Sequence, residues 1–153
     1  IGLRYFNIFG PKQNPNGAYA AVIPIFIKCI LEDRSPTING DGLTSRDFTF
    51  VDNAVQANIK ALFTENKDAL NEIYNIATND RTTLNDLFNH LKNISGSKLE
   101  ANYGPERVGD VKHSLADISK AKNYLGYSPN IKIQQGLEST FQWYVNHLKA
   151  TNS

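Results

Sequence analysis

Strand-like and helix-like segments alternate along this 153-residue chain, and the alternation predicts an α/β fold. Three observations carry that expectation. Short runs of aromatic and branched residues, "LRYFNIF" and "NEIYNIAT", have the character of sheet strands. Between them, "NAVQANIKALFTE" repeats its apolar residues at helical spacing. Glycine or proline then punctuates the ends of several segments, as at Gly10-Pro11, Gly96 and Gly126.

Taken in order, residues 3–9 predict a buried strand that breaks off at Gly10-Pro11. Residues 11–17, dense in Pro, Asn and Gly, predict a loop. Residues 18–33 are long enough for a helix, which Pro24 must kink or restart. "SPTINGDG" reads as a short strand entering a turn, and "SRDFTFV" alternates like another strand. Asp52 resembles an N-cap for the next helix, whose apolar positions Val55, Ile59, Leu62 and Phe63 recur at helical spacing. After the strand "NEIYNIAT", Thr82 or Thr83 caps a helix that Gly96 stops. "KLEANYG" predicts a short strand. Asp117 caps "ISKAKNYLG", which ends at Gly126 with Pro129 beyond it. A last helix, at about residues 133–149, carries Leu137, Phe141, Tyr144, Val145 and Leu148 on one stripe. No internal repeat or low-complexity segment interrupts the pattern.

The length makes one domain the default and allows a sizeable core. Hydrophobic residues make up 41% and charged residues 20%, ordinary values for a globular protein. Sixteen basic against fifteen acidic residues leave a formal charge of +1, which argues against a nucleic-acid partner. The one cysteine, Cys29, excludes an intrachain disulfide and fits a reducing, cytoplasmic compartment. The longest apolar run, residues 18–27, is too short to span a bilayer and contains Pro24, so no membrane partner is expected. No signal-peptide pattern occurs. The sequence holds no methionine, and its first strand lacks a preceding neighbour. Both features lead us to expect a piece of a longer protein.

Several chemistries are missing. There is no G-x-G-x-x-G loop and no G-x-S-x-G elbow. No tyrosine is followed by a lysine four residues on, so a Tyr/Lys acid–base pair at that spacing is absent. His90, His113 and His147 lie far in sequence from one another and from Cys29, and no metal site is expected. The chain carries candidate binding groups without a complete catalytic apparatus.

Among those groups are two arginines, Arg46 in "GLTSRDF" and Arg107 in "GPERVGDV". A diphosphate needs donors converging from separate segments, and the planar guanidinium fork suits its oxygens. Asp110, three residues after Arg107, could accept hydrogen bonds from vicinal ribose hydroxyls. From the residues alone a plain structural alternative is the more common case: Arg46 pairs with Asp47 or Asp41, and Arg107 with Asp110, as weak surface ion pairs. Asn7, among aromatic neighbours, must find partners for its amide, either backbone groups at the strand end or a ligand oxygen. Gln13 and Asn16 lie in a loop where simple solvation is the alternative. Ser114, taken alone, is unremarkable. Tyr5 and Phe6 are core aromatics or the wall of a cofactor pocket.

Taken together, "LRYFNIFGP", "VIPIF", "INGDGLTSRDFTFVDNAVQA", "YNIA" and "GDVKHSLADISKAKNYLGYSP" resemble the C-terminal half of the nucleotide-sugar epimerases and dehydratases. These are the extended short-chain dehydrogenase/reductase enzymes. The resemblance covers essentially the whole chain, in the family's order. It implies an α/β fragment of a doubly wound Rossmann-type sheet. Late strands would interleave with the smaller substrate-binding domain over residues 1–153, starting at about the sixth strand. The glycine-rich NAD loop and the Ser/Tyr/Lys catalytic set would lie upstream, so no catalytic residue is expected here and the chain alone should be inactive. Within the family, "QNPNGAYAAVIP" is most similar to the UDP-N-acetylglucosamine 4-epimerases of surface-polysaccharide pathways.

Roles follow from the resemblance position by position. Phe6, with Tyr5, would border the nicotinamide of NAD. Asn7 would contact the sugar or its phosphate, and Gln13 would lie near the N-acetyl group. Ala21 and Val22 would begin the segment lying along the substrate. Thr37 and Asn39 would meet the uracil, Arg46 and Arg107 the diphosphate, and Asp110 the ribose. Ser114 matches a gatekeeper position beside the sugar. A small side chain there leaves room for an N-acetyl group, because a close-packed wall admits no extra atoms without strain. The partner implied is a UDP-sugar, with a homodimeric parent and a fragment able to self-associate through its open strand edge. Two alternatives stay open: a dehydratase or decarboxylase of the same family, and a non-catalytic UDP-sugar-binding or interaction module.

Overall fold

The computed structural model describes residues 1–16 and 21–149, with side chains as far as His147 in the last helix. The chain runs β1 (Gly2–Tyr5), β2 (Ile8–Phe9), α1 (Val22–Leu31), β3 (Thr37–Asn39), β4 (Ser45–Arg46), β5 (Thr49–Phe50) and α2 (Val51–Leu62). It continues through β6 (Ile73–Ile76), β7 (Thr82–Thr83), α3 (Leu84–Ser95), β8 (Asn102–Gly104), α4 (Ser119–Leu125) and α5 (Ile133–Lys149). The order is that of an α/β Rossmann-like fold. Two compact units emerge, each built from three stretches. The first comprises Ile1–Phe9, Arg46–Arg81 and Ser114–Ile133; the second comprises Gly10–Ser45, Thr82–His113 and Gln134–Ser153.

In the first unit β1 lies parallel to β6, with Gly2 opposite Ile73 and Tyr5 opposite Ile76. The single strand expected over residues 3–9 is two strands, because Asn7 adopts a left-handed backbone with φ of 39°. Asparagine tolerates that region better than a branched residue does. The break transfers the chain between neighbours. Phe6 N donates to Ile76 O at 3.0 Å, whereas Asn7 O accepts from Thr49 N at 3.2 Å, and β2 then pairs parallel with β5. "SRDFTFV" is likewise divided into β4 and β5, since Asp47 and Phe48 leave the ladder.

Helix α2 departs from expectation at both its start and its face. Phe50 is its N-cap without a side-chain bond, and Asp52 sits inside the first turn, where its carboxylate meets the positive end of the helix dipole. The large apolar residues Val55, Ile59, Leu62 and Phe63 face outward, between 47% and 75% exposed. The buried positions are Asn53, Ala54 and Ala57. The two alanines join a core of Tyr74, Ile76, Ile118, Ala121, Leu125 and Tyr127. Short side chains let the helix backbone approach that aromatic core closely, which bulky ones at the same positions would prevent. Asn53 is satisfied in place: its Nδ2 donates to Ile131 O at 2.8 Å and its Oδ1 accepts from Asn130 N and Ile131 N.

Tyr127 anchors this core by donating to Ala77 O at 2.8 Å. Burial, and secondarily the charge of Asp47, holds its phenol well above the ordinary tyrosine range. Below about pH 10 it is protonated in both folded and unfolded chains, and the stabilisation is complete. Above that pH the unfolded chain loses the proton first, so stability falls by about 1.4 kcal/mol per pH unit for this group. Urea unfolding followed between about pH 8 and 11 should show that decline, and Tyr127→Phe should make it shallower. Equal slopes in both proteins would contradict the assignment. Tyr74 and Tyr144 are raised by burial in the same direction, so the variant should retain part of the slope.

The second unit sets β3 parallel to β8, pairing Thr37 with Asn102, Ile38 with Tyr103 and Asn39 with Gly104. Pro24 causes no kink, since α1 begins at Val22 and places the proline in the first turn, where its missing N–H has no intrahelical partner to lose. Residues 18–20 of the expected helix lie outside the described residues. Helices α1 and α3 pack through Phe26 and Phe88, ring centroids 5.6 Å apart at 71°. Thr83 caps α3 by accepting from Asp86 N at 3.0 Å, and Gly96 closes it in a left-handed conformation. Asp117 serves the start of α4 by accepting from Ser119 N at 2.8 Å, while the cap position itself falls on Ile118. In α5, Leu137 and Tyr144 are buried and the Tyr144 hydroxyl donates to Gln13 O. Leu148, the last residue of the expected stripe, has no described side chain. Among the described residues no helix is long and apolar enough to cross a membrane.

Candidate functional site

One pocket gathers three of the residues expected from sequence. It lies in the second unit, at the end of the β3–β8 pair. Asn39, Arg107 and Asp110 line it, with Thr44, Leu84, Glu106 and Lys112. The parallel register explains how residues so distant in sequence meet. Asn39 stands opposite Gly104 and Gly40 N donates to Gly104 O at 2.9 Å, so the chain leaving β8 passes beside the end of β3. The following loop then folds on itself. Asp110 N donates to Arg107 O at 3.2 Å, with Gly109 at φ of 82°. Its far end is tethered, because Lys112 O accepts from Ser45 N at 2.9 Å and Ser45 forms a parallel bridge with His113.

The charges are mixed. Lys112 Nζ lies 3.4 Å from Glu106 Oε1, with both side chains about two-thirds exposed or more, at 72% and 67%. Arg107 and Asp110 approach each other through backbone groups. Among the described residues the Arg107 guanidinium makes no ion pair. An Arg107–Asp110 side-chain pair, one of the alternatives drawn from sequence, is therefore not what fixes this loop.

The first unit holds Tyr5, Phe6, Asn7, Arg46 and Ser114. Asn7 is exposed and its Nδ2 donates to Asp47 O at 3.1 Å. Arg46, half-buried on β4, precedes Asp47, and Ser114, also half-buried, stands two residues before Ala116. Asp47 is fully buried. Its carboxylate accepts from Thr78 N at 2.9 Å, Thr78 Oγ1 at 2.7 Å, Asn79 N at 3.0 Å and Ala116 N at 3.4 Å. The segments carrying Asn7, Arg46 and Ser114 are thus tied to one residue that sequence reading treated only as an ion-pair partner. A charged residue inside the aromatic run "RDFTF" was the available signal, since a buried charge must be satisfied.

The other expected contacts lie in the second unit. Gln13 is half-buried; Ala21 is the N-cap of α1 and Val22 its first residue; Thr37 is exposed on β3. Glu106 and Lys112 were missed. Opposite charges flanking a Gly-Asp turn were the signal for them.

These residues make up only a small part of what a dinucleotide needs. Tyr5 is exposed with its hydroxyl donating to Asn58 Oδ1 at 2.9 Å, and Phe6 packs partly buried on the core. They offer an aromatic wall, and the sequence holds no glycine-rich phosphate-binding loop. Among the described residues no cluster of three or more His, Cys, Asp or Glu could hold a metal ion.

The model of the NAD-dependent epimerase/dehydratase family matches residues 1–77. A UDP-glucose 4-epimerase from Thermotoga maritima, solved with UDP-glucose, is 40% identical with a TM-score of 0.89; the match covers 95% of this chain and 46% of that one. A UDP-N-acetylglucosamine 4-epimerase from Methanobrevibacter ruminantium, solved with UDP-N-acetylmuramic acid, is 41% identical with a TM-score of 0.87, over 94% and 45% of the two chains. A UDP-N-acetyl-alpha-D-glucosaminuronate decarboxylase from Bacillus cytotoxicus is 32% identical over 93% of this chain and 45% of its own. The chain spans somewhat less than half the length of the relatives it matches.

Proposed function

The chain belongs to the NAD-dependent epimerase/dehydratase family, and from that membership we propose that it is the UDP-sugar-binding portion of a UDP-N-acetylglucosamine 4-epimerase. The reaction would interconvert UDP-GlcNAc and UDP-GalNAc for surface-polysaccharide synthesis. The observation that carries the reading is the pocket where Arg107, Asp110 and Asn39 meet. A guanidinium with no ion pair among the described residues suits a diphosphate. The nearby carboxylate of Asp110 suits ribose hydroxyls, and the Asn39 amide adds a donor and an acceptor. Arg46 supplies a second guanidinium to the diphosphate, and Thr37 joins Asn39 at the uracil. Asn7, Gln13, Ala21 and Val22 contact the sugar. The small Ser114 supports an N-acetylated sugar over an unsubstituted hexose, by volume exclusion. Tyr5 and Phe6 border NAD. Binding energy gathered at the nucleotide, away from the reacting carbon, holds the substrate while its sugar reacts.

A decarboxylase reading is kept because one 32% identical relative carries that activity. Calorimetry of the full-length gene product should show UDP binding that Arg107→Ala weakens about tenfold or more, the scale of one charge-assisted contact. Arg46→Ala should act in the same direction. Incubation with UDP-GlcNAc and NAD should then yield UDP-GalNAc. Release of carbon dioxide from a uronic-acid substrate, with no epimerisation, selects the decarboxylase. UDP binding indifferent to both arginines overturns the site.

A further inference from the structure

The Glu106–Lys112 pair is built into the same pocket, and its geometry suggests more than a surface contact. Glu106 is packed at its stem, and Lys112 is tethered through its backbone. Glu106 packs its stem over the turn after β3: a Cβ added to Gly40 would stand 3.1 Å from Glu106 Cγ. Lys112 is held through its own carbonyl, which accepts from Ser45 N at 2.9 Å. Their charged heads meet at 3.4 Å in an open setting, where an ion pair is weak and exchanges readily. Arg107 and Asp110 line the same space, so an anion drawn to Arg107 comes within the reach of Lys112.

We infer that Glu106 is a resident counter-ion which the diphosphate displaces from Lys112, so that Lys112 is a second phosphate-recruiting cation of this pocket and Glu106 sets the affinity. The inference rests on the reading of the pocket as a nucleotide diphosphate site. A diphosphate carries more charge and more acceptor oxygens than one carboxylate, so it wins the lysine whenever it is seated on Arg107. Exchange of the heads needs no movement of the anchored backbone. The device favours ligands with two phosphoryl groups and discriminates against those without any, because only a strong anion can take Lys112 from its partner.

The test measures UDP and uridine affinity in the full-length gene product carrying Glu106→Gln, Lys112→Ala or both. Glu106→Gln should tighten UDP several-fold and steepen its dependence on ionic strength. Lys112→Ala should weaken UDP several-fold. Neither should alter uridine. In the Lys112→Ala background, Glu106→Gln should lose most of its effect. An undiminished effect there means a general field at the pocket and overturns the exchange, as does a Glu106→Gln protein that binds UDP no better. Should the unmodified protein bind UDP without dependence on Arg107, the nucleotide reading fails, and this inference with it. UDP binding that depends on Arg107 but is indifferent to Glu106 and Lys112 overturns the exchange alone.

Discussion

Asp47→Ala should destabilise the first unit by about 3 to 5 kcal/mol, the usual consequence of breaking a buried charged hydrogen-bond network. The carboxylate is fully buried, and four donors converge on it from Thr78, Asn79 and Ala116. Alanine leaves those donors without a partner and opens a cavity beside Ala116. Asn79 lies at the surface, where water can replace part of what is lost, so the lower end of the range applies if the turn relaxes outward. Asp47→Asn keeps the volume and one acceptor, and about half the loss is expected. Urea denaturation of the three proteins measures both effects. A loss below about 0.5 kcal/mol for alanine, the scale of an ordinary surface change, would contradict the network.

Gly42→Ala should cost about 2 to 3 kcal/mol, through two separable causes. The backbone there is left-handed, with φ of 74°, which an L side chain adopts at a penalty. A Cβ would also collide with the Asn85 side-chain amide. Asn85 cannot simply swing aside, because its Nδ2 donates to Asp41 O at 3.0 Å and its Oδ1 accepts from the Tyr103 hydroxyl at 3.0 Å. Gly96 provides the control. Its φ of 70° is similar, but nothing lies within 4 Å of an added Cβ, so Gly96→Ala should show only the backbone part, about 1 kcal/mol. Equal losses at the two sites, by thermal or urea unfolding, would remove the steric cause. The turn at Gly42 also leads to Thr44, whose carbonyl accepts from Leu84 N at 3.0 Å. Both residues line the pocket, so UDP affinity should drop in the Gly42 variant and stay unchanged in the Gly96 variant.

The elements that could be read from sequence are those whose signals are local. Thr83 and Gly96 bracket α3 by capping chemistry, and β3 is marked by the turn residues that follow it. Arg107 and Asp110 were legible as polar groups three residues apart and Asn39 through the resemblance, while their meeting in one pocket depends on the β3–β8 register. What could not be read depends on tertiary partners. The break at Asn7 arises because β1 and β2 pair with different strands, which no window of seven residues contains. The inward face of α2 was hidden because hydrophobic periodicity gives most weight to large side chains, whereas the core selects Ala54 and Ala57 by size. Asp47 gathers its donors from residues 31 or more positions away.

That arrangement of α2 divides its sequence positions by their tolerance of change. At Ala54 and Ala57 even one added methylene meets packed atoms, so variation there is closed to larger residues. Val55, Ile59, Leu62 and Phe63 lie outside that core, between 47% and 75% exposed. Polar replacements at those four sites therefore leave the alanine-lined contact with the core in place.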